Sequence, residues 1–147
     1  KQMFHKNGLI LTTGPQMRRY FFSVDQAVSL VDQALKLKDK LNGKILSVEM
    51  KSSKMIDILK TWIKKFGGKY KIISTRKGDR LDEYLIGEDE LKYTQELKIK
   101  DKKYYIIDFN KLSKKPLKKV VSSANAKRLS TSEIEKIIQF GINNNDL

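Results

Sequence analysis

The stretch Ser23-Val-Asp-Gln-Ala-Val-Ser-Leu-Val-Asp-Gln-Ala-Leu35 decides the fold class. Its apolar residues recur every three or four positions, which predicts an amphipathic helix. Ser23 and Gln26 have the spacing of a capping box, so we expect Ser23 to be the N-cap. The helix is expected to end near Asn42, because Gly43 can adopt the left-handed conformation that stops a helix.

Runs of β-branched and aromatic residues on both sides of this helix predict strands. They are Leu9–Thr13, Lys44–Met50, Tyr70–Thr75 and Tyr104–Phe109. The first run stops at Gly14-Pro15, a dipeptide that favours a turn.

Helical spacing returns between and after these strands. Met55–Phe66 predicts a helix that Ser52 or Ser53 can cap, and a short helix is expected through Leu81, Tyr84 and Leu85. The last helix follows Ser130, which forms a second capping box with Glu133. Glu88–Lys103 fits either a helix or a loop, and Lys111–Lys119 is expected to be an exposed loop. The order β-α-β-α-β-turn-α indicates an α/β or α+β domain.

Composition limits the chemistry. The 147 residues suffice for one domain, and Lys and Arg (31) exceed Asp and Glu (17), which gives a net charge of +14 and favours an anionic partner. The chain has no cysteine, which excludes disulfides, thiolate nucleophiles and cysteine-ligated metals. His5 is the only histidine, which argues against a histidine metal site and a Ser-His-Asp triad.

The sequence has no apolar run near the roughly 20 residues that cross a bilayer, and residues 1–5 lack the features of a secretory signal. We therefore expect a cytoplasmic protein with no membrane contact. Because the chain opens on Lys1 within an ordinary stretch, we interpret it as part of a longer protein.

Two arginine-bearing turns are the best candidate ligand sites. The sequence contains neither Gly-x-Gly-x-x-Gly nor Gly-x-x-x-x-Gly-Lys-[Ser/Thr], so it has no dinucleotide fingerprint and no P-loop. In the segment Arg76–Glu83 an arginine can bind a phosphate in bidentate fashion, and a glycine lets the backbone approach a ligand closely. Asp82 or Glu83 can bind the hydroxyls of a ribose. The alternative is an ordinary exposed turn, with Arg76 solvated or paired to Asp79.

The second basic segment is Met17-Arg-Arg-Tyr-Phe-Phe22. Arg18 and Arg19 can contact phosphate. The alternative is an edge strand whose arginines point to water.

Three segments resemble one family. Pro15-Gln-Met-Arg-Arg-Tyr-Phe-Phe-Ser-Val-Asp-Gln-Ala27 is similar to the Pro-x-Met-Thr-Arg-Phe-Phe-Met-Thr-x-x-Glu-Ala segment of nucleotide-sugar 4,6-dehydratases, polysaccharide-biosynthesis enzymes of the extended short-chain dehydrogenase/reductase class. Ile72-Ile-Ser-Thr-Arg-Lys-Gly-Asp-Arg-Leu-Asp-Glu83 resembles their Ile-x-Gly-Thr-Arg-x-Gly-Glu-Lys-Leu-x-Glu. Ser122-Ser-Ala-Asn-Ala-Lys-Arg-Leu-Ser130 resembles their Ser-x-Asn-x-x-Arg-Leu.

The resemblance covers nearly the whole chain and implies its role. Residues 1–147 would be the substrate-binding, C-terminal half of such an enzyme, with the Rossmann core for NAD or NADP and the Tyr-x-x-x-Lys catalytic pair in an N-terminal half upstream. This chain alone would then bind no cofactor and supply no catalytic residue. The substrate would be UDP- or GDP-N-acetylglucosamine, and the expected partners are the N-terminal half and further copies in a homo-oligomer.

The resemblance also implies site residues. Arg19 and Arg76 would bind the diphosphate and Glu83 the ribose, while Met50 and Lys51 lie where the family's chain passes the base. Asn125 is a further candidate, and Arg18 stands where the family usually has threonine, so it is either a third phosphate contact or a surface residue.

Two alternative functions remain at this stage. The charge of +14 and the aromatic residues interleaved with basic ones, as at Tyr104-Tyr105, also suit a nucleic-acid-binding module. The lysines are spread along the chain from Lys36 to Lys136 and do not form one stripe, which argues against that function. The other alternative is a non-catalytic assembly domain, in which Arg76 and Glu83 would point apart.

Overall fold

A computed structural model describes residues 8–74 and 77–143 and shows a mixed fold of helices and strands. Its strands are β1 (Leu9–Thr12), β2 (Arg18–Phe21), β3 (Ile45–Val48), β4 (Lys51–Lys54), β5 (Lys69–Ile72), β6 (Tyr84–Ile86), β7 (Thr94–Ile99), β8 (Lys102–Ile107) and β9 (Val121–Ser122). Its helices are α1 (Val24–Lys36), α2 (Lys38–Leu41), α3 (Met55–Phe66), a 3₁₀ helix (Glu88–Tyr93) and α4 (Thr131–Asn143).

The strands form small separate sheets. β1 and β5 pair in parallel, whereas β2 pairs with β4 and β6 with β9 in antiparallel fashion. The largest sheet is antiparallel, in the order β3-β8-β7. Arg128 adds a parallel bridge to Ser52 of β4, so the segment before α4 extends the β2–β4 pair.

The apolar core lies where β6 and β8 meet. Ile86, Tyr105 and Ile107 are each buried to 3% exposure or less, and Leu91 and Leu117 are among the side chains packed against them. Helices α3 and α4 also contact each other, and each has two buried isoleucine or leucine side chains: Ile56 and Leu59 of α3, and Ile134 and Ile138 of α4. The β6–β9 pair therefore lies directly against the core.

Both predicted capping boxes are confirmed. The Ser23 hydroxyl accepts from the Gln26 backbone N–H at 3.2 Å, and the Gln26 side chain accepts from the Ser23 N–H at 2.8 Å. Ser130 and Glu133 make the same reciprocal pair before α4. The helix after Ser23 is interrupted at Leu37 and resumes as α2, and Gly43 then takes the expected positive φ of 69°.

The predicted cap of α3 was wrong. Ser52 and Ser53 are not turn residues but buried members of β4, opposite Tyr20 and Arg19. The first amides of α3 are satisfied instead by the preceding chain, because Met55 N–H donates to Met17 O at 2.9 Å and Ile56 N–H to Pro15 O at 2.7 Å. A contact between segments some 40 residues apart replaced the local cap, and local spacing does not encode it.

Of two other local predictions, one was wrong for a similar reason, and the other was right only for Glu88–Tyr93, which form the 3₁₀ helix. The short helix expected through Leu81, Tyr84 and Leu85 is strand β6, since Tyr84 pairs with Ser122 far along the chain. Glu88–Lys103, expected as a helix or loop, contains β7 and its hairpin to β8, joined through Lys100 at φ 53°. The charged residues of β7 hid an edge strand, which pairs with β8 along one side only.

Candidate functional site

The β2–β4 ladder carries the two neighbouring arginines of the candidate site. Successive side chains of a strand point to opposite faces, so Arg18 and Arg19 diverge. Each meets an acidic residue of the turn before β6: Arg18 meets Asp82 and Arg19 meets Glu83. The backbone fixes this placement, because Arg18 N–H donates to Leu81 O at 2.8 Å.

Arg18 and Asp82 form a closed pair. The Arg18 Nη2 lies 2.6 Å from Asp82 Oδ2, and Nε bonds the other carboxylate oxygen. The hydrogen bond from Arg18 is the main reason that the pKa of Asp82 falls below its ordinary value, with a smaller contribution from Ser123. The same hydrogen bond raises the pKa of Arg18. The fork that would take a phosphate is thus occupied by a carboxylate of the chain itself.

Arg19 and Glu83 form a more open pair. The Arg19 Nε lies 3.3 Å from Glu83 Oε1, and the Glu83 side chain is 46% exposed. Arg19 also donates to the Arg80 carbonyl at 3.1 Å, and Tyr20 N–H donates to Glu83 Oε2 at 3.3 Å. An open pocket of about 320 Å³ lies beside them, lined by the two residues and by Gly78, Asp79, Arg80, Asp82 and Tyr84. This volume is at the lower end of small-ligand sites.

The structure places the other predicted residues apart from this pocket. Met50 and Lys51 line a larger groove of about 660 Å³ with Phe21, Phe22 and Phe140, and neither Arg19 nor Glu83 lines it. The Lys51 Nζ is held by Glu133 Oε1 at 2.7 Å. That bond, followed by those from Ser130, lowers the pKa of Glu133 to about 2.

Asn125 holds its own turn. Its Oδ1 accepts from Ser122 N–H at 2.9 Å and its Nδ2 donates to Val120 O at 2.8 Å. Arg76 lies outside the described residues. Of the seven predicted residues, the structure therefore brings together Arg19 and Glu83, with Arg18 behind them.

Sequence reasoning missed a buried polar network beneath the pocket. Ser52 and Ser123 have no exposed surface, and the Ser52 hydroxyl donates to Ser123 O at 2.8 Å. Arg128 Nη1 donates to the same carbonyl at 2.7 Å and bonds the Ser52 hydroxyl. The Ser123 hydroxyl accepts from Glu83 N–H at 2.9 Å. The serine pairs Ser52-Ser53 and Ser122-Ser123 were the available signal, since buried hydroxyls need partners.

The hydroxyl of Tyr20, next to Arg19 on β2, is also buried. Burial is the main reason that the pKa of Tyr20 is raised, so its hydroxyl stays protonated. Within the part of the chain that the structure describes, this hydroxyl has no hydrogen-bond partner.

The residues described do not fit a nicotinamide dinucleotide. The pyrophosphate of such a cofactor needs a glycine turn that leads into a helix N-terminus with free amides. The turn after β1 leads into β2, and a Cβ at Gly14 would collide with the Met17 side chain, which already fills that space. The first amides of α3 are bonded to Pro15 and Met17. We therefore assign no chemical step to a cofactor on these residues.

Comparison with known proteins agrees with the fold. A family model described as polysaccharide biosynthesis protein matches residues 1–108. An uncharacterized membrane protein of Methanocaldococcus jannaschii is 32% identical over 149 aligned positions, which cover 95% of this chain and 43% of that protein. The X-ray structure of Pen from Bacillus thuringiensis superposes with a TM-score of 0.77 at 21% identity, over 94% of this chain and 42% of Pen, and shows the shared fold alone.

The chain spans less than half the length of these two proteins. In the ranges 8–74 and 77–143, none of the helices has the length and apolar character needed to span a membrane. With the family model matching well over half of its residues, the chain belongs to the polysaccharide biosynthesis protein family.

Proposed function

We propose that the pocket beside Arg19 and Glu83 binds the diphosphate and ribose of a nucleotide sugar, and that the chain is the substrate-binding part of an NAD(P)-dependent nucleotide-sugar 4,6-dehydratase. Membership of a polysaccharide biosynthesis family supports a role in sugar metabolism. The observation that carries the proposal is the convergence of a guanidinium and a carboxylate, from segments 64 residues apart, on one open pocket.

The Arg19–Glu83 pair can open for a ligand. Its 3.3 Å separation and the half-exposed carboxylate make it weaker than the closed Arg18–Asp82 pair. In the complex the Arg19 guanidinium would turn to a phosphate, and the Glu83 carboxylate would accept hydrogen bonds from the two ribose hydroxyls. A ligand that supplies both groups replaces the internal contact without leaving either charge unpaired.

The contribution of this chain to the reaction would be orientation. Binding the nucleotide at one end fixes the hexose at the other, and oriented reactants can gain about 7–11 kcal/mol over random encounter. NAD or NADP would supply hydride transfer from outside the residues described here. In this proposal the chain binds, orients and shields the substrate.

The cofactor domain is the partner we propose for the exposed apolar side chains of the β1–β5 pair and of α1. Two-stranded parallel sheets are rarely stable alone, because parallel sheets are usually covered on both faces. Ile72 of β5 is 58% exposed, and Val28 of α1 is 63% exposed. Ile45 of β3 and Phe66 of α3 are also exposed, but α1 exposes a longer apolar stripe.

The burial of two aromatic residues argues against the nucleic-acid alternative. Tyr104 and Tyr105, which were candidates for base stacking, are 4% and 3% exposed. Stacking on single strands needs an accessible ring face. The two rings serve the core instead.

Titration of the chain with UDP-N-acetylglucosamine, GDP-N-acetylglucosamine and a single-stranded oligonucleotide, at two salt concentrations, tests the function. Selective sugar-nucleotide binding is expected. Arg19→Lys keeps the charge but removes the fork, and should weaken binding about tenfold or more. Lys60→Ala, on an exposed position of α3, removes a charge elsewhere and should change it little.

Arg76→Ala should abolish the sugar-nucleotide signal if the sequence-based assignment of that residue is correct. Equal affinity of Arg19→Lys and the unaltered chain would exclude Arg19 from the site. Oligonucleotide binding that falls steeply with salt, without sugar-nucleotide binding, would favour the nucleic-acid alternative.

A further inference from the structure

We propose that Ser123 is a positioning residue that fixes Glu83 in the orientation needed to bind the ribose of the nucleotide. The proposal deepens the proposed function and rests on it. Ser123 lies in the turn after β9 and has no exposed surface, so it cannot touch the ligand itself. Its effect would be exerted through the backbone of Glu83.

Glu83 is held on both sides of its α-carbon by this one serine. The Glu83 N–H donates to the Ser123 hydroxyl at 2.9 Å, and the Ser123 N–H donates to Glu83 O at 2.8 Å. Because the backbone N–H and carbonyl of Glu83 are both held, the direction of its Cα–Cβ bond is fixed as well. Its carboxylate then lies against Arg19 Nε and Tyr20 N–H, each at 3.3 Å.

The hydroxyl also joins the two segments that form the pocket. Its oxygen lies 3.1 Å from Arg18 O on β2 and 3.1 Å from Asp82 Oδ1 on the turn. A serine has a single O–H, so it donates to one of these acceptors at a time or is shared between them. Either arrangement links the arginine strand to the acidic turn at their closest approach.

Ser123 is itself held in place by hydrogen bonds from the buried polar network. Its carbonyl accepts from Ser52 Oγ at 2.8 Å and from Arg128 Nη1 at 2.7 Å. The register of the β6–β9 pair also shifts between Tyr84 and Ile86, immediately after Glu83. Register irregularities of this kind redirect side chains next to functional sites. The serine therefore connects the buried network to the pocket as a fixed support.

The test is UDP-N-acetylglucosamine titration of Ser123→Ala, with Ser122→Ala as the matched control. Removal of the hydroxyl leaves the Glu83 N–H without an acceptor, so affinity should fall about tenfold. Ser122 is also buried, but its hydrogen bonds in the described ranges use its backbone N–H and carbonyl, so its replacement should leave affinity nearly unchanged. Ser123→Cys, close in size and weaker in hydrogen bonding, should give an intermediate loss.

A double variant separates positioning from general loss of stability. If Ser123 acts through the Arg19–Glu83 pair, Ser123→Ala should cost much less affinity in the Arg19→Lys background than in the unaltered chain. Hydrogen exchange should also show the Glu83 amide opening faster in Ser123→Ala, with the amides of β8 unchanged.

The outcomes distinguish the two proposals. No sugar-nucleotide binding by the unaltered chain overturns the proposed function and the positioning role with it. Binding by the unaltered chain, combined with equal affinity of Ser123→Ala or with fully additive losses in the double variant, overturns the positioning role alone.

Discussion

Two groups of elements in the molecule differ in the burial and hydrogen bonding of their side chains. Around β2, β4, β6 and β9, even polar side chains are buried, and Ser52 and Ser123 have hydrogen-bond partners at no exposed surface. Around β1, β5 and α1, apolar side chains remain in solvent, and α1 buries none of its residues. We call the first the network side and the second the open side. Within the described residues, the scaffold of the pocket is therefore held by hydrogen bonds of this chain, whereas the open side leaves apolar side chains exposed, and it is there that we propose a partner packs.

The largest expected effect is on the core beneath the network side. Ile86→Ala removes a side chain with no exposed surface and should lower the free energy of unfolding by about 2–5 kcal/mol. Ile72→Ala on β5, where the side chain is 58% exposed, should change it by less than about 0.5 kcal/mol. Urea denaturation of both variants measures the difference, and equal losses would remove the distinction between the two sides.

The next effect concerns the closed ion pair and has a defined pH dependence. Because the folded protein lowers the pKa of Asp82 below its ordinary value of 3.8, the ionised carboxylate stabilises the fold above that pH. This stability is lost as the pH falls through the lowered pKa. Asp82→Asn should therefore be less stable than the unaltered chain at neutral pH, and the difference should shrink in acid.

Urea midpoints measured from neutral pH to below pH 3.8 provide that test. The matched control is Asp32→Asn on the open side, whose exposed carboxylate pairs with Lys36 one helical turn away. Exposed pairs contribute little, so it should change stability by at most about 0.5 kcal/mol. A constant difference between Asp82→Asn and the unaltered chain at every pH would contradict the assignment.

A smaller effect is expected at the cap of α1. Since this helix has little packing to support it, the capping box matters, and Ser23→Ala should cost about 1 kcal/mol. Ser29→Ala, in the middle of the same helix, should be neutral or slightly stabilising, because alanine is the better helix former. Thermal unfolding followed by circular dichroism distinguishes them. A neutral Ser23→Ala would mean that contacts other than the cap maintain α1.

The smallest expected effect concerns the exposed apolar stripe of α1. Val31→Lys, at a position 60% exposed on α1, should alter the stability of this chain by less than about 0.5 kcal/mol. In a longer protein whose cofactor domain covers α1, the same change would bury a charge and should destabilise the assembly. Measurement in both contexts would show whether the open side is an interface, and a large loss in this chain alone would contradict its exposure.

Features that depend on neighbours in sequence were predictable. The two capping boxes, the stripe of α3 and strand β8, which covers Tyr104–Ile107 of the predicted Tyr104–Phe109, all follow from residue spacing over a single turn or strand. The strand at β6 was not predictable in this way, because its partner Ser122 lies almost 40 residues away.

In the candidate site too, the features that depend on distant residues were not predictable. Residue type and resemblance pointed to Arg19 and Glu83, which do form a pair. They could not show that Arg18 is engaged in an ion pair with Asp82, or Lys51 in one with Glu133. Those pairings depend on tertiary distance. Ser123 was missed because a serine acquires a positioning role only when burial removes water as its alternative partner.

The contact between Gly14 and Met17 restricts how this family member can vary. Any side chain at position 14 would occupy the volume that the methionine thioether fills, although the backbone there is unremarkable for other residue types. Alanine at position 14 therefore requires the Met17 side chain to move, and a shorter residue at position 17 should accommodate it more readily. Such paired exchange can be sought in aligned relatives as covariation between the two columns.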